Sequence, residues 1–403
     1  MKIVRTWLLL LLAILLILPC AVFAETEDEP VPEEMAKDIS THIRFEYGGH
    51  YDLRAKLIGP SLNTAEEWAP YEEFFFNLDT DVDAHWLYVQ WNAQPEGVQI
   101  QQLDENGTLL AHMDVPEQYD TVVELQEGAV RIRFITDKYG MSMTRLLLFT
   151  KGALPKQFCE WKQAQGHLDY LIVSTHPDDD VIFMGGVIPL YGREQGYVGT
   201  VAYVTTPSRL RVDEAVQGAK TMGAEYYPFF LGFHDLNTQR MTEFSNMFLP
   251  DAVTRALVRL FRQQRPLVVF SHDVNGEYGH WQHIIVSAAV VEACKLAADE
   301  SYDPASAAKF GTWEVKKCYL HLYPEYPLVM DVNTPLASMD GKTVIQIAKE
   351  AFAKHRTQQN GRHWVQTDHD AHPLSRFGMA YGTVPAGDDV FDNIDPALLA
   401  ANN

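Results

Sequence analysis

The pattern of apolar and polar positions changes once along the chain, near residue 154. From about residue 41 to 153 the dominant period is two, the signature of half-buried strands. Over residues 86–91 one face carries Leu87, Val89 and Trp91, the other Trp86, Tyr88 and Gln90. Val98 and Ile100 alternate with Gln99 and Gln101; Val130, Ile132 and Phe134 alternate with Arg131 and Arg133. Turn formers separate these runs at residues 95–97, 104–107 and 127–128. The expectation is an all-β, antiparallel β-sandwich domain over 41–153. Asn106-Gly107-Thr108 matches a glycosylation acceptor, but Asn-Gly between two strands reads more simply as a hairpin turn. Most of Tyr71, Phe74, Phe75, Phe76, Trp86, Tyr88 and Trp91 should be core, because half of every strand faces inward. Their alternative use is carbohydrate contact through stacking on sugar rings.

A linker is expected over 154–167, and beyond it strands alternate with helices. Residues 170–175, 198–205, 226–231, 267–271 and 315–323 read as strands. Residues 209–222, 251–264, 284–298 and 342–358 read as helices, the first stopped by Gly223 and the second by Pro266. This implies an α/β domain over 168–395: a Rossmann-like, mostly parallel sheet with helices on both faces. Gly185-Gly186 lacks the Gly-x-Gly-x-x-Gly spacing, so a nucleotide cofactor is not expected.

Residues 1–24 read as a secretory signal peptide: Lys2 and Arg5, an apolar run, then Val22 and Ala24 before the cut. The protein is therefore expected to be secreted or on the cell surface, with no stable membrane insertion after cleavage. Residues 25–40 read as an acidic, disordered leader. The formal charge of the 403 residues is −22, and removing Lys2 and Arg5 with the signal peptide makes it more negative. Such a surface repels nucleic acid and anionic lipid, so neither is an expected partner. Cys159, Cys294 and Cys318 are too few for a disulfide framework, and any one pair, or none, can bridge.

Chemistry concentrates at the ends of two buried strands. The run 170–175 stops at His176-Pro177, and Asp178, Asp179 and Asp180 follow. Proline cannot continue a central ladder, so the chain turns there. Three adjacent carboxylates in one turn repel unless a cation or donors sit among them. The bland reading is one helix-capping Asp and two solvated ones. The second segment, residues 271–283, follows the strand 267–271 and ends in His280-x-x-His283. Strand ends at one edge of a parallel sheet can meet. His176, Asp179 and His283 would supply two imidazoles and one carboxylate, a set suited to Zn2+ or another divalent metal with one open position. Asp178 and His280 are then acid/base groups beside it.

At these residues the sequence resembles the PIG-L/LmbE-like zinc-dependent N-acetylglucosaminyl deacetylases. The resemblance rests on His176-Pro-Asp-Asp-Asp180, Arg211-Val-Asp-Glu214, Phe230-Leu-Gly-Phe-His-Asp235, Gly276-Glu-Tyr-Gly-His-Trp-Gln-His283 and His355-x-x-Gln358. It implies zinc ligands at His176, Asp179 and His283. It also implies a general base at Asp178, an oxyanion- or amine-facing group at His280, and sugar contacts at Arg211 and Asp235. Two positions depart from the family pattern. Asp180 stands where Glu is usual, which bears on its support of a ligand, and Trp281-Gln282 stands where Pro-Asp is usual. The implied partner is an acetylated sugar or glycan. An O-acetyl esterase and a non-catalytic sugar-binding protein are the alternatives; a serine hydrolase is not expected, for want of a Gly-x-Ser-x-Gly elbow.

Overall fold

The computed structural model describes residues 34–45, 53–59, 65–158, 161–164, 166–206, 208–236 and 248–399. The expected signal peptide and Cys159 lie outside the described residues. Among the described residues no helix is long and apolar enough to cross a membrane.

The first part holds β1 (Ile43–Phe45), β2 (Glu66–Trp68), β3 (Glu73–Leu78), β4 (Ala84–Trp91), β5 (Gln99–Leu103), β6 (Leu109–Asp114), β7 (Asp120–Glu124), β8 (Arg131–Ile135) and β9 (Met141–Thr150). They form two antiparallel sheets, ordered β1-β3-β8-β5-β6 and β2-β9-β4-β7. The sheets share one apolar core: Phe74, Phe76, Ile132 and Phe134 from the first, Leu87, Val89, Trp91 and Leu148 from the second. These are the alternate residues that the period-two pattern selects. Asn106-Gly107 lies in the β5–β6 turn, where Asp104 Oδ1 accepts from the Asn106 and Thr108 amides.

The acidic leader departs from expectation at its end. β2 covers only Met141–Met143 of its neighbour, so the rest of that edge of β9 is open. The chain before β1 fills it: the Ile39 amide donates to Leu148 O (2.7 Å) and the Ala36 amide to Ala153 O (2.9 Å).

The second part is a mixed seven-stranded sheet. β10 (Leu168–Ser174), β11 (Gly199–Thr205), β12 (Phe229–Phe233), β13 (Pro266–Ser271) and β14 (Lys317–His321) are parallel. β15 (Pro327–Val329) follows, then a small hairpin of β16 (Pro335–Leu336) and β17 (Lys342–Thr343), then β18 (Arg376–Gly382). The sheet order is β12-β11-β10-β13-β14-β18-β15, with β18 antiparallel to both its neighbours. β12 starts three residues later than the pattern predicts, because Pro228 has no N–H to give a ladder.

Alternate residues of β10 enter different cores. Tyr170 and Ile172 pack with the helices Arg209–Met222 and Val344–Phe352. Leu171 and Val173 pack with Pro250–Gln264 and Trp281–Leu296. Cys294 and Cys318 are buried and free in the second of these cores. The chain runs one way from β10 to β11 and β12, and the other way to β13 and β14. Strand ends on either side of such a reversal leave a crevice at the carboxyl edge.

Candidate metal and catalytic centre

β10 and β13 are adjacent and parallel, with Ile172 opposite Phe270, so the turns after them share that edge. Ser271 Oγ donates to Val173 O (2.9 Å), and the Thr175 amide donates to His272 Nε2 (2.9 Å). Two backbone positions are strained. Asp178 has φ 137 and Glu277 has φ 56, the left-handed side of the map that non-glycine residues avoid.

Three atoms converge. His176 Nδ1 lies 3.0 Å from Asp179 Oδ2 and 3.1 Å from His283 Nε2, and His283 Nε2 lies 3.1 Å from Asp179 Oδ2. Their protonation follows from the neighbours. Glu277 Oε2 accepts from His283 Nδ1 (2.7 Å), which leaves the Nε2 lone pair facing the triangle. Gln282 Nε2 donates to His234 O, so its Oε1 is the acceptor facing His176 Nε2 (3.2 Å). The Nδ1 lone pair of His176 therefore also faces inward. Two lone pairs and a carboxylate aimed at one point repel unless a cation sits between them. A tetrahedral zinc with ligands at about 2.0–2.1 Å separates its donor atoms by about 3.3 Å. The triangle is within a few tenths of that, so the residues fit a divalent cation.

The electrostatics agree. Burial alone lowers the His283 pKa, but Asp179 and Glu277 outweigh it and raise it to about 10. The Asp179 carboxyl, though buried, is held well below its usual range by His283 and His176. The raised His283 value marks a demand for positive charge beside Asp179: a proton on His283 Nε2 meets it, and a bound divalent cation would displace that proton and take the freed lone pair.

Asp178 is buried, and its Oδ1 accepts from Arg211 Nη2 (2.8 Å). Burial pushes its carboxyl well above the usual range, against the pull of Arg211, and Asp179 and Asp180 reinforce the rise. Arg211 also donates to Pro177 O (2.6 Å) and Asp235 Oδ2 (3.0 Å), so the two expected sugar contacts are paired with each other beside the base. The His280 ring stands 4.8 Å from that of His176 and 4.5 Å from that of His283, and its Nδ1 has no partner. Burial, with His283 and His176 nearby, lowers its pKa to about 3, so it is neutral. Asp180 points elsewhere. Its Oδ2 accepts from Tyr203 (2.9 Å), and burial raises its pKa to about 7. Its described bond reaches no candidate ligand, so the short side chain supports none directly.

Residues not singled out from the sequence complete the site. Glu277 is fully buried and accepts from His272 Nδ1 (3.2 Å), His321 Nδ1 (3.2 Å) and the Asp273 amide (3.0 Å), besides His283. His272 belongs to a second convergent group with Asp179 and His283, but its Nε2 is already occupied by the Thr175 amide. Gln282, marked only as a departure from the family pattern, orients His176. A third acidic group, His42, Asp79 and Asp81, has Arg44 against Asp79 as its counter-ion.

The fold and this centre define a chain with a candidate His–Asp–His cation site and a flanking carboxylate, at the carboxyl edge of a mixed sheet. Residues 171–294 match the family PIG-L, described as GlcNAc-PI de-N-acetylase, and the chain carries a PIG-L family domain there. Over 191 residues it is 29% identical to 1D-myo-inositol 2-acetamido-2-deoxy-alpha-D-glucopyranoside deacetylase 1 of Catenulispora acidiphila, covering 40% of this chain and 58% of that protein. A deacetylase of the same description from Rhodococcus erythropolis is 27% identical over 277 residues, covering 54% of this chain and 93% of that one. Among solved structures, the N,N'-diacetylchitobiose deacetylase of Pyrococcus horikoshii aligns with 18% identity and a TM-score of 0.36, covering 49% of this chain and 72% of that one.

Proposed function

We propose that this protein is a divalent-metal-dependent N-deacetylase, with zinc as the metal, acting on a GlcNAc-type amino sugar in an extracellular or cell-wall glycan. The observation that carries the reading is the triangle of His176 Nδ1, Asp179 Oδ2 and His283 Nε2 with Asp178 beside it. The PIG-L match and the names of the relatives support the substrate class. The strand order, with β10 central, supports the Rossmann-like reading of the sheet. The order of Lys2, Arg5, apolar run and Ala24 supports export.

An amide carbonyl is a poor electrophile and water a poor nucleophile. A divalent cation, when bound by His176, Asp179 and His283, supplies Lewis acidity toward the carbonyl and makes water more acidic. Asp178 is positioned to take the proton from the attacking water, while Arg211 holds its other side in place. His280, neutral in its buried setting, donates an N–H to the oxygen that gains charge. The C–N bond breaks, the proton held by Asp178 passes to the departing amine, and acetate remains.

The test is acetate release by the metal-loaded protein from GlcNAc oligomers and from matched O-acetylated glycans. Release from the N-acetyl set, lost in Asp178→Asn, is the expected result. Release from the O-acetyl set alone makes the protein an esterase. Bound metal with no release from either makes it a sugar-binding protein.

A further inference from the structure

Arg209 is the first residue of the helix Arg209–Met222, and its side chain leaves the α/β half altogether. Nε donates to Trp91 O (2.6 Å), and Nη2 to Asp120 Oδ1 (3.2 Å) and Tyr119 O (3.4 Å). Trp91 ends β4, Asp120 begins β7 and Tyr119 immediately precedes it, so all three acceptors belong to the N-terminal part of the chain. The contact is reinforced from both sides. Asp120 also accepts from Tyr88 of β4 (2.6 Å) and from Tyr227 of the α/β half (3.0 Å). The Tyr119 amide donates to Tyr227 Oη (3.1 Å), and Gln90 Nε2 donates to Asp213 Oδ1 (3.0 Å), one turn along the same helix.

Residues two apart on a helix point to different sides. Arg209 therefore turns to the N-terminal sheets, while Arg211 turns to Asp178, Pro177 and Asp235. Further along, Glu214 accepts from the Thr357 amide (2.9 Å) and hydroxyl (2.6 Å). The start of one helix thus links the N-terminal sheets, the candidate base and the late segment.

The plain alternative is that this is only glue between two halves. Buried ion pairs are poor glue, because desolvation offsets most of the attraction and apolar residues of similar volume serve as well. What a planar guanidinium with fixed acceptors does provide is a defined orientation. Ser208 caps the helix by accepting from the Arg211 amide (3.3 Å), so the backbone between the two arginines is held as well.

We propose that the N-terminal sheets are part of the support of the active site, and that Arg209 is a positioning residue. Through the helix start it fixes where Arg211 meets Asp178. The kinetic part of this rests on the deacetylase reading above.

The test uses the full chain carrying Arg209→Gln, Arg209→Lys or, from the other side of the contact, Asp120→Asn. With Arg209→Gln and Asp120→Asn, kcat should fall by about 10²-fold, the scale of a small misplacement at the reacting groups. KM and bound metal should be unchanged. Arg209→Lys keeps the charge without the fork and should recover part of the loss. Hydrogen exchange provides a readout independent of activity. Amides of 209–216 should exchange faster in Arg209→Gln, while those of 250–264 stay protected. Unchanged kcat with unchanged exchange overturns the proposal, and so does a uniform rise of exchange across the chain. Local loosening of 209–216 in a protein with no deacetylase activity upholds the coupling and rejects the deacetylase reading instead.

Discussion

Glu277 accepts from three imidazoles at once, and this decides which nitrogen of His283 faces the metal triangle. Carboxylates behind ligating imidazoles typically contribute 10–100-fold to metal affinity. Glu277→Gln should therefore weaken metal binding by about that factor while leaving the fold intact. Competition against a chelator measures it, and unaltered affinity would assign the His283 orientation to packing. The neighbouring carboxylates divide differently. Asp178 faces Arg211, whereas Asp179 faces both imidazoles. Asp178→Asn should retain metal and slow hydrolysis by about 10²–10⁴; Asp179→Asn should lose metal as well. Equal metal loss in both would remove the distinction. His176, Asp178, Asp179 and His283 were legible in sequence because Pro177 ends a buried strand and a second His/Asp turn follows another. Glu277 and Gln282 were not. A polar residue in a turn looks solvated until the fold buries it, and no local pattern announces a reversal at φ 56.

At the scale of elements, the helix Arg209–Met222 was readable end to end because both of its stops are in the sequence. Ser208 caps the start, and Gly223, at φ 97, ends it. The last helix was overextended. Its start is a capping box of Thr343 and Gln346, but it ends at Phe352, and Arg356–Gln358 is a separate turn. No glycine or proline lies between Phe352 and Gln358, so no local stop signal marks the break. His355 lies in the break, with its ring buried against Gly218 of the Arg209–Met222 helix. That contact reverses an ordinary rule. Gly in a helix interior costs about 1 kcal/mol relative to Ala, so Gly→Ala normally stabilises. A Cβ at 218 would stand 2.5 Å from His355 Nε2, and the ring is enclosed. Gly218→Ala should therefore destabilise by roughly 1–3 kcal/mol, the range for overpacking. A rise in Tm would show that the ring can yield. The antiparallel strands β15 and β18 were not anticipated. β15 has only three residues and opens with Pro327, too little for a period to register.

At the scale of the whole molecule, the two halves meet through groups far apart in sequence; Arg209 and Asp120 are 89 positions apart. Nothing local marks such a pair, which is why the junction could not be read from the chain. Its pH dependence can be argued from Asp213. Burial is the main cause raising its carboxyl above the ordinary 3.8, and Asp120 adds to the rise. Arg209, the Gln90 amide and Arg145 oppose it without cancelling it. A carboxyl raised in the folded state contributes stability that is complete below 3.8 and is lost as pH climbs through the raised value. Above that value the folded protein carries a buried carboxylate that the unfolded chain would solvate. Asn at this position keeps an oxygen for Gln90 and cannot ionise. Asp213→Asn should accordingly match the wild type near pH 4 and exceed its Tm at pH 8. Thermal unfolding of both proteins across that range is the measurement. Curves that stay parallel would mean that Asp213 carries no proton in the folded state, and that Arg209 is shared between two ionised carboxylates.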